Sequence, residues 1–153
     1  MSKTFEKIAS ELQKKIMEEI KKKYSETVIE HWQNPRNLKK IENPDGYGKV
    51  KGPCGDTMEI FLKIKNDRII DCGFLTDGCG TTISCGSMVT ELAKRKNILT
   101  ALTITKEKLL KALGGLPEAD QHCALLATST LRKALSDYLY KKREPWRKYY
   151  PNI

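Results

Sequence analysis

The chain has 153 residues, of which 39% are hydrophobic and 31% are charged, the usual balance of a folded domain in water. This length is enough for one domain with a substantial buried core. No apolar run approaches the roughly 18 residues of a membrane-spanning helix, and the N-terminal segment MSKTFEKIASELQKK lacks the apolar stretch of a secretory signal. We therefore expect a cytoplasmic protein that does not associate with a membrane.

The formal net charge is +9, and Lys and Arg are frequent toward the C-terminus, between residues 132 and 148. A basic balance raises the question of nucleic-acid binding. However, the sequence has no RNA-binding aromatic motif, no zinc-finger spacing and no evident recognition helix. We expect a solvated basic surface that docks an acidic protein partner, and no nucleic acid.

Two helices are predicted at the N-terminus. The first covers residues 3–23, because apolar residues recur there at helical spacing: Phe5, Ile8, Leu12, Ile16 and Ile20. A second helix is expected from a Ser25 cap to about Trp32, and it ends at Asn34-Pro35 because a residue before proline disfavours helical backbone. The apolar face of the first helix must pack on its own domain or on a second subunit, and the sequence leaves both open.

The middle of the chain predicts an antiparallel sheet. Met58, Ile60, Leu62 and Ile64 alternate with Thr57, Glu59, Phe61 and Lys63, which indicates a half-buried strand. Asn66-Asp67 separates this strand from residues 68–75, so the two form a hairpin. Residues 47–51 add a third strand after the turn at 43–46, and such short connections favour a meander.

Helices are predicted for the remainder: residues 81–96, residues 105–113 closing at Gly114-Gly115, and a long helix opened by Pro117 and running to about Lys142. The fold class is therefore α+β, a small three-stranded antiparallel sheet packed by helices with an extra N-terminal helix. We expect a single domain over 1–153, with a helical extension at 3–23, the main domain at 24–142 and a basic tail at 143–153.

The five cysteines fall into two groups. An odd number at wide, irregular spacing favours reduced thiols over a disulfide framework. Cys72 shares a strand face with Ile70 and Phe74, and Cys85 shares a helical stripe with Met88, so both are expected in the core. For Cys85 the role of an auxiliary ligand stays open.

Cys54, Cys79 and Cys123 instead occupy the ends of predicted elements. Cys54 lies in a turn before a strand, Cys79 in a turn before a helix, and Cys123 in the first turns of the last helix. A metal ligand must be a thiolate, and the N-H groups and partial positive charge at a helix N-terminus favour that anion. These three thiols are our candidate ligands.

Two further side chains extend this candidate site. Asp56 follows Cys54 by two residues and His122 precedes Cys123, which completes a mixed set of sulfur, oxygen and nitrogen donors. Iron and zinc both accept such a set. The alternatives are that Asp56 is a turn acceptor and that His122 is a surface helix residue.

These motifs together resemble the IscU/NifU-type iron–sulfur cluster assembly scaffolds. The resemblance rests on Gly-Pro-Cys54-Gly-Asp56 before an alternating strand, Gly-Cys79-Gly before a helix, His122-Cys123 at the start of a long helix, and Asn34-Pro35-Arg36-Asn37 near the start. It covers roughly residues 24–140 and implies the sheet-and-helix fold (the IscU/SufE-like fold) expected above.

The resemblance implies a scaffold rather than an enzyme. A cysteine desulfurase would supply sulfur, iron would bind, and a 2Fe–2S cluster would form and pass to apo iron–sulfur acceptor proteins. Cys54, Cys79 and Cys123 would be ligands and sulfur acceptors, Asp56 the fourth ligand or the residue that keeps the cluster labile, and His122 a neighbouring ligand. An iron donor, a chaperone, a homodimer and zinc in place of the cluster stay open.

Some features depart from the family pattern. Leu116-Pro117-Glu118-Ala119-Asp120 stands where chaperone-served scaffolds resemble Leu-Pro-Pro-Val-Lys, which reverses the local charge. The insertion of the zinc-binding SufU branch between the second and third cysteines is not seen in this sequence. Cys85 stands where a small residue is common, and residues 3–23 precede the usual start of the fold.

Two rival functions remain. One is a zinc-binding sulfur-acceptor protein of the SufU type that relays persulfide without building a cluster. The other is an enzyme with a Cys123 nucleophile. Adjacent helical residues point about 100° apart, so we expect His122 to be poorly placed to deprotonate Cys123.

Overall fold

The computed structural model describes residues 2–146, which form six α-helices and a three-stranded sheet within that part of the chain. The elements are α1 (Ser2–Lys23), α2 (Glu26–Gln33), β1 (Gly46–Lys51), β2 (Thr57–Lys65), β3 (Arg68–Thr76), α3 (Gly80–Ala93), α4 (Ile98–Ala101), α5 (Lys106–Leu113) and α6 (Gln121–Arg143). Among the helices of this described part, none combines the length and apolar character that crossing a bilayer requires. Most of the predicted basic tail, from residue 147 onward, lies outside the described residues.

The sheet is the predicted antiparallel meander, in the order β1-β2-β3. Asn66 and Asp67 join β2 to β3 with φ angles of 54° and 58°. Positive φ at both positions of a two-residue connection matches the right-handed twist of the strands on either side. Met58, Ile60 and Leu62 are completely buried on the core face of β2, as the alternation predicts.

The predicted face of β3 is wrong at one residue. Cys72 and Phe74 are buried, but Ile70 is 47% exposed and Ile69 takes its place in the core. The pairing register shifts between Lys63 and Ile64, so that Ile64 faces Ile69 and Ile70 is passed over. Such a bulge adds one residue to a strand and reverses the faces of the residues beyond it, which simple alternation does not reveal.

Helix α6 crosses β1 and β2 and covers one end of the core. Its backbone approaches β1 at Gly48, where an added Cβ would lie 2.7 Å from the nitrogen of Ala134 and 2.8 Å from the carbonyl oxygen of Thr130. Backbone atoms cannot move aside as a flexible side chain can. Gly48 therefore allows α6 to lie close against the sheet.

Two helix boundaries differ from the prediction by three or four residues, and one short helix was not predicted. Helix α3 ends at Ala93 instead of residue 96, because Arg95 adopts a left-handed φ of 71°. Pro117 precedes a 3-10 turn over Glu118–Asp120, and α6 begins only at Gln121. The four-residue helix α4 is too short to show a period in the sequence.

The segment Asn34-Pro35-Arg36-Asn37 ties α2 to α3. Asn37 has a positive φ of 64°, and its side-chain amide donates to Thr90 and Glu91 of α3 at 3.0 Å each. The backbone N-H of Arg36 donates to Ser87 at 2.8 Å. This part of the family pattern therefore holds helices together at a distance in sequence from the predicted ligands.

Helix α1 has the predicted apolar stripe but does not bury it. Phe5 is 72% exposed, and Ile8, Leu12 and Ile16 are exposed as well, while Ile20 near the junction with α2 is half-buried. Within the described residues, the stripe is thus not covered by its own domain. Packing on a second subunit stays a prediction.

Candidate metal centre

Three segments that carry predicted ligands meet at one end of the sheet. The β1–β2 loop holds Cys54 and Asp56, and the β3–α3 loop holds Cys79. The two loops are joined where the backbone N-H of Thr57 donates to the Asp77 carboxylate at 2.7 Å. The N-terminus of α6 brings Cys123 to the same place, because α6 packs against both the sheet and α3.

The Thr82 hydroxyl lies at the centre of this site. Its Oγ1 is 3.1 Å from Oδ2 of Asp56, 3.4 Å from Sγ of Cys123 and 3.8 Å from Sγ of Cys79. One side chain of α3 therefore contacts candidate ligands from three separate segments. These contacts show that the structure brings Asp56, Cys79 and Cys123 together.

Thr82 was not among the residues predicted for this site. A signal was present, because Thr82 follows Cys79 by three residues and so lies on the same face of α3. The residue is completely buried. Gly78 makes room for it, since a Cβ at Gly78 would lie 2.6 Å from the Thr82 Cβ.

Cys79 is exposed and caps the N-terminus of α3. Partial burial disfavours its thiolate, but the backbone N-H groups and hydroxyls of Thr82 and Thr81 outweigh this effect and lower the pKa of the Cys79 thiol. The predicted benefit of a helix N-terminus is therefore present for this cysteine.

Cys123 has the opposite electrostatic environment. Its side chain is only 2% exposed, and burial raises the pKa of its thiol to about 11, although the Thr82 hydroxyl works in the other direction. Negative charge on Cys79, Asp120 and Cys54 raises that pKa further. Without a cation, Cys123 is therefore a thiol at neutral pH.

The expectation that His122 is poorly placed relative to the Cys123 sulfur is wrong. Its Nε2 lies 3.6 Å from the Cys123 sulfur, within the range of a hydrogen bond to sulfur. Rotation about the side-chain bonds of His122 overcomes the roughly 100° between neighbouring Cβ directions. His122 thus joins the site, but the raised pKa of Cys123 disfavours an activated nucleophile.

A tyrosine from the N-terminal part of the chain bonds to the residue that precedes the first turn of α6. The Tyr24 hydroxyl, between α1 and α2, donates to Oδ2 of Asp120 at 2.7 Å. Asp120 directly precedes α6, two residues before His122. The acidic segment that departs from the family pattern is therefore anchored to the N-terminal part of the chain.

Cys54 is exposed in the β1–β2 loop, next to Gly55 with a φ of 92°. Cys54 lies two residues before Asp56 on the same loop, which places it at this end of the sheet. Among residues 2–146, no three His, Cys, Asp or Glu side chains are already arranged to hold a metal ion. Asp56, Cys79 and Cys123 are neighbours around Thr82. That these residues, Cys54 and His122 are ligands stays a prediction.

Cys72 and Cys85 are both completely buried, as expected for core residues. Burial raises the pKa of each thiol, for Cys85 with a further contribution from Cys123 and Cys79. Cys85 therefore lies near the site on α3 but is a poor source of thiolate in this state.

These environments predict an order of thiol alkylation in the metal-free protein. Thiolate is the reacting form, so a lowered pKa gives faster reaction at a given pH. With iodoacetamide at pH 7.5 we expect Cys79 to react at least about tenfold faster than Cys123, and Cys72 and Cys85 to stay unmodified until the protein is denatured. Peptide mass spectrometry over time measures each site. Equal rates for Cys79 and Cys123 would contradict the order.

The fold and site define a class of protein: a small α+β domain that presents thiols and a carboxylate on loops at one end of a three-stranded sheet. Residues 23–145 match the family model of the NifU-like N terminal domain, and the chain belongs to that family.

Curated relatives are similar over most of the chain. An iron–sulfur cluster assembly scaffold protein, IscU 1 of Archaeoglobus fulgidus, is 50% identical over 119 residues, which cover 77% of this chain and 78% of the relative. The IscU scaffold protein of Escherichia coli is 40% identical over 78% of this chain and 96% of its own length.

Solved structures agree on the fold. The N-terminal part of a NifU-like protein from Brucella abortus superposes with a TM-score of 0.61 at 18% identity, covering 76% of this chain and 94% of that one. A SufU scaffold protein from Fervidobacterium islandicum gives a TM-score of 0.60 at 23% identity, covering 73% and 96%.

Proposed function

We propose that this protein is a scaffold on which a 2Fe–2S cluster is assembled from iron and desulfurase-derived sulfur and then passed to apo-proteins. The observation that carries the proposal is the meeting of Asp56, Cys79 and Cys123 around Thr82, with Cys54 on the same loop as Asp56. Family membership and the curated IscU relatives support the scaffold function.

In this proposal Cys54, Cys79 and Cys123 are the cluster ligands. Asp56 is the fourth ligand, and His122 is the neighbouring donor that competes for that position. Four thiolates would give the closed ligation of an electron-transfer ferredoxin. Three thiolates and one harder, exchangeable oxygen hold iron less tightly, which suits a site that must release its cluster.

The open arrangement of the ligands supports loading as a stepwise process. Cys54 and Cys79 are exposed, so a partner protein reaches both sulfurs. In sulfur transfer a scaffold thiolate attacks the outer sulfur of a desulfurase persulfide; a new S–S bond forms and the desulfurase leaves as a thiolate. Because the pKa of Cys79 is lowered and that of Cys123 is raised, a larger fraction of Cys79 is thiolate at a given pH.

The proposed partners are a cysteine desulfurase and apo iron–sulfur acceptor proteins, in the cytoplasm. The basic charge suits an acidic protein surface. An iron donor, a chaperone and a second copy of the chain remain further proposed partners. The reversed charge of Glu118 and Asp120 counts against a chaperone that reads a basic segment there.

Reconstitution tests the function. The protein is purified anaerobically and incubated with iron, cysteine, a cysteine desulfurase and a thiol reductant, and iron, acid-labile sulfide and the visible spectrum are measured. We expect about two irons and two sulfides per site with charge-transfer bands of a 2Fe–2S cluster. Stoichiometric zinc without sulfide, resistant to reconstitution, would overturn the scaffold in favour of the zinc-binding sulfur relay.

A further inference from the structure

Thr82 is the side chain that contacts three of the proposed ligands, yet it is not itself a metal ligand in the proposal above. We infer that Thr82 is a positioning residue that holds the Asp56 carboxylate beside the Cys123 sulfur, ready for metal capture. This inference rests on the proposed function, because Thr82 acts through Asp56, which is a metal ligand only in that proposal.

The hydrogen-bond geometry favours Asp56 as the main partner. A hydroxyl has one proton to donate and accepts with its lone pairs. Oγ1 of Thr82 lies 3.1 Å from the carboxylate and 3.4 Å from the Cys123 sulfur. Hydrogen bonds to an ionised acceptor are roughly twice as strong as neutral ones, so the proton is donated to Asp56. Oγ1 of Thr82 also lies within hydrogen-bonding distance of the Cys123 sulfur, so one hydroxyl links the two ligands.

The buried hydroxyls on α3 differ in what they contact. Thr90 donates to the carbonyl of Gly86 at 2.8 Å, one turn back in the helix. Ser84 lies 2.9 Å from the carbonyl of Gly80 and 2.8 Å from that of Val28 in α2. Thr82 instead directs its hydroxyl to side chains from two other segments. The Thr82 hydroxyl therefore contacts the candidate ligands and not a carbonyl of its own helix.

Thr82 is also the fixed member of the group. It is completely buried on α3, and its β-branched side chain has few rotamers. Asp56 is half-buried at the end of the β1–β2 loop, where Gly52 and Gly55 give the backbone freedom. Anchoring the loop carboxylate to the helix hydroxyl restricts Asp56 to the vicinity of Cys123. A carboxylate bonded to Thr82 through Oδ2 still offers Oδ1 to a cation.

Cobalt titration of the metal-free full-length protein tests the inference. Co²⁺ reports thiolate ligation through its visible and near-ultraviolet absorption. Removing a group that orients a ligand typically lowers metal affinity 10- to 100-fold. We expect Thr82→Val, which keeps the shape but removes the hydroxyl, to weaken Co²⁺ binding at least about tenfold. Thr82→Ser keeps the hydroxyl and is expected to stay within about threefold of the parent protein.

A double-mutant cycle separates positioning from general damage. If Thr82 acts through Asp56, Thr82→Val has little further effect in an Asp56→Ala background, less than about threefold. The same tenfold loss in both backgrounds would overturn the inference, as would unchanged affinity in Thr82→Val. Circular dichroism and thermal melting of the metal-free variants check that the fold is intact, and Thr82→Ala, which also removes the hydroxyl, replaces Thr82→Val if that variant does not fold.

The failure of this inference is distinguishable from the failure of the proposed function. A parent protein that binds Co²⁺ through thiolates and assembles a cluster, with Thr82→Val equal to it, overturns the role of Thr82 alone. A parent protein without thiolate-bound cobalt and without a cluster overturns both.

Discussion

Replacing Cys123 with serine is expected to abolish cluster assembly, leaving the visible spectrum at the level of protein incubated without desulfurase. Among the proposed ligands, Cys123 is the most enclosed and has neighbours in every part of the site: Thr82 at 3.4 Å, His122 at 3.6 Å and the charge of Cys54 and Cys79. Serine preserves the shape, but its hydroxyl is a hard donor that does not ionise as a thiol does. Iron and labile sulfide per chain, after anaerobic reconstitution, measure the effect.

Cys72→Ala and Cys85→Ala are the matched controls for this prediction. Both thiols are completely buried, so each substitution removes one sulfur from the core and is expected to cost about 1–2 kcal/mol of unfolding free energy. Both variants should still assemble the cluster. Full assembly in Cys123→Ser would remove that residue from the ligand set, whereas loss of assembly in Cys85→Ala alone would make Cys85 the auxiliary ligand.

The regular elements were predictable because each depends on a local pattern. Alternation in β2 and the turn at Asn66-Asp67 follow from short-range sterics and one buried face, and the hairpin is confirmed. The position of Ile70 was not predictable in the same way. Its exposure depends on a bulge, and the bulge arises from the pairing of two strands instead of from either strand alone.

The site was predictable in outline. Cys54, Cys79 and Cys123 stood out because they occupy the ends of elements, and the fold brings those ends together. Thr82 and the orientation of His122 were missed for a shared reason. The Thr82 hydroxyl points toward two other segments, and the His122 ring turns toward its own neighbour Cys123. Neither side-chain direction can be deduced from residue type and spacing.

Asp56→Ala is expected to make the assembled cluster longer-lived, by roughly tenfold, which corresponds to about 1.4 kcal/mol in the barrier to loss. A carboxylate oxygen is a harder donor than a thiolate and holds iron less tightly, so among the proposed ligands Asp56 is expected to exchange most readily with water or an acceptor. Without the Asp56 carboxylate, the cluster lacks the ligand that water or an acceptor displaces most easily. Capture of a single metal ion is a different quantity, since it depends on equilibrium affinity, and the same carboxylate assists that step.

The measurement is the decay of cluster absorbance after addition of a metal chelator or an apo-acceptor protein. Glu118→Ala is the matched control, because it removes an exposed acid from the turn before α6 and changes the net charge equally.

His122 is expected to take the position that Asp56 leaves, since its Nε2 already lies 3.6 Å from the Cys123 sulfur. Asp56→Ala combined with His122→Ala should therefore lose the added lifetime. A cluster in Asp56→Ala that decays at the parent rate or faster would refute the role of Asp56 in release.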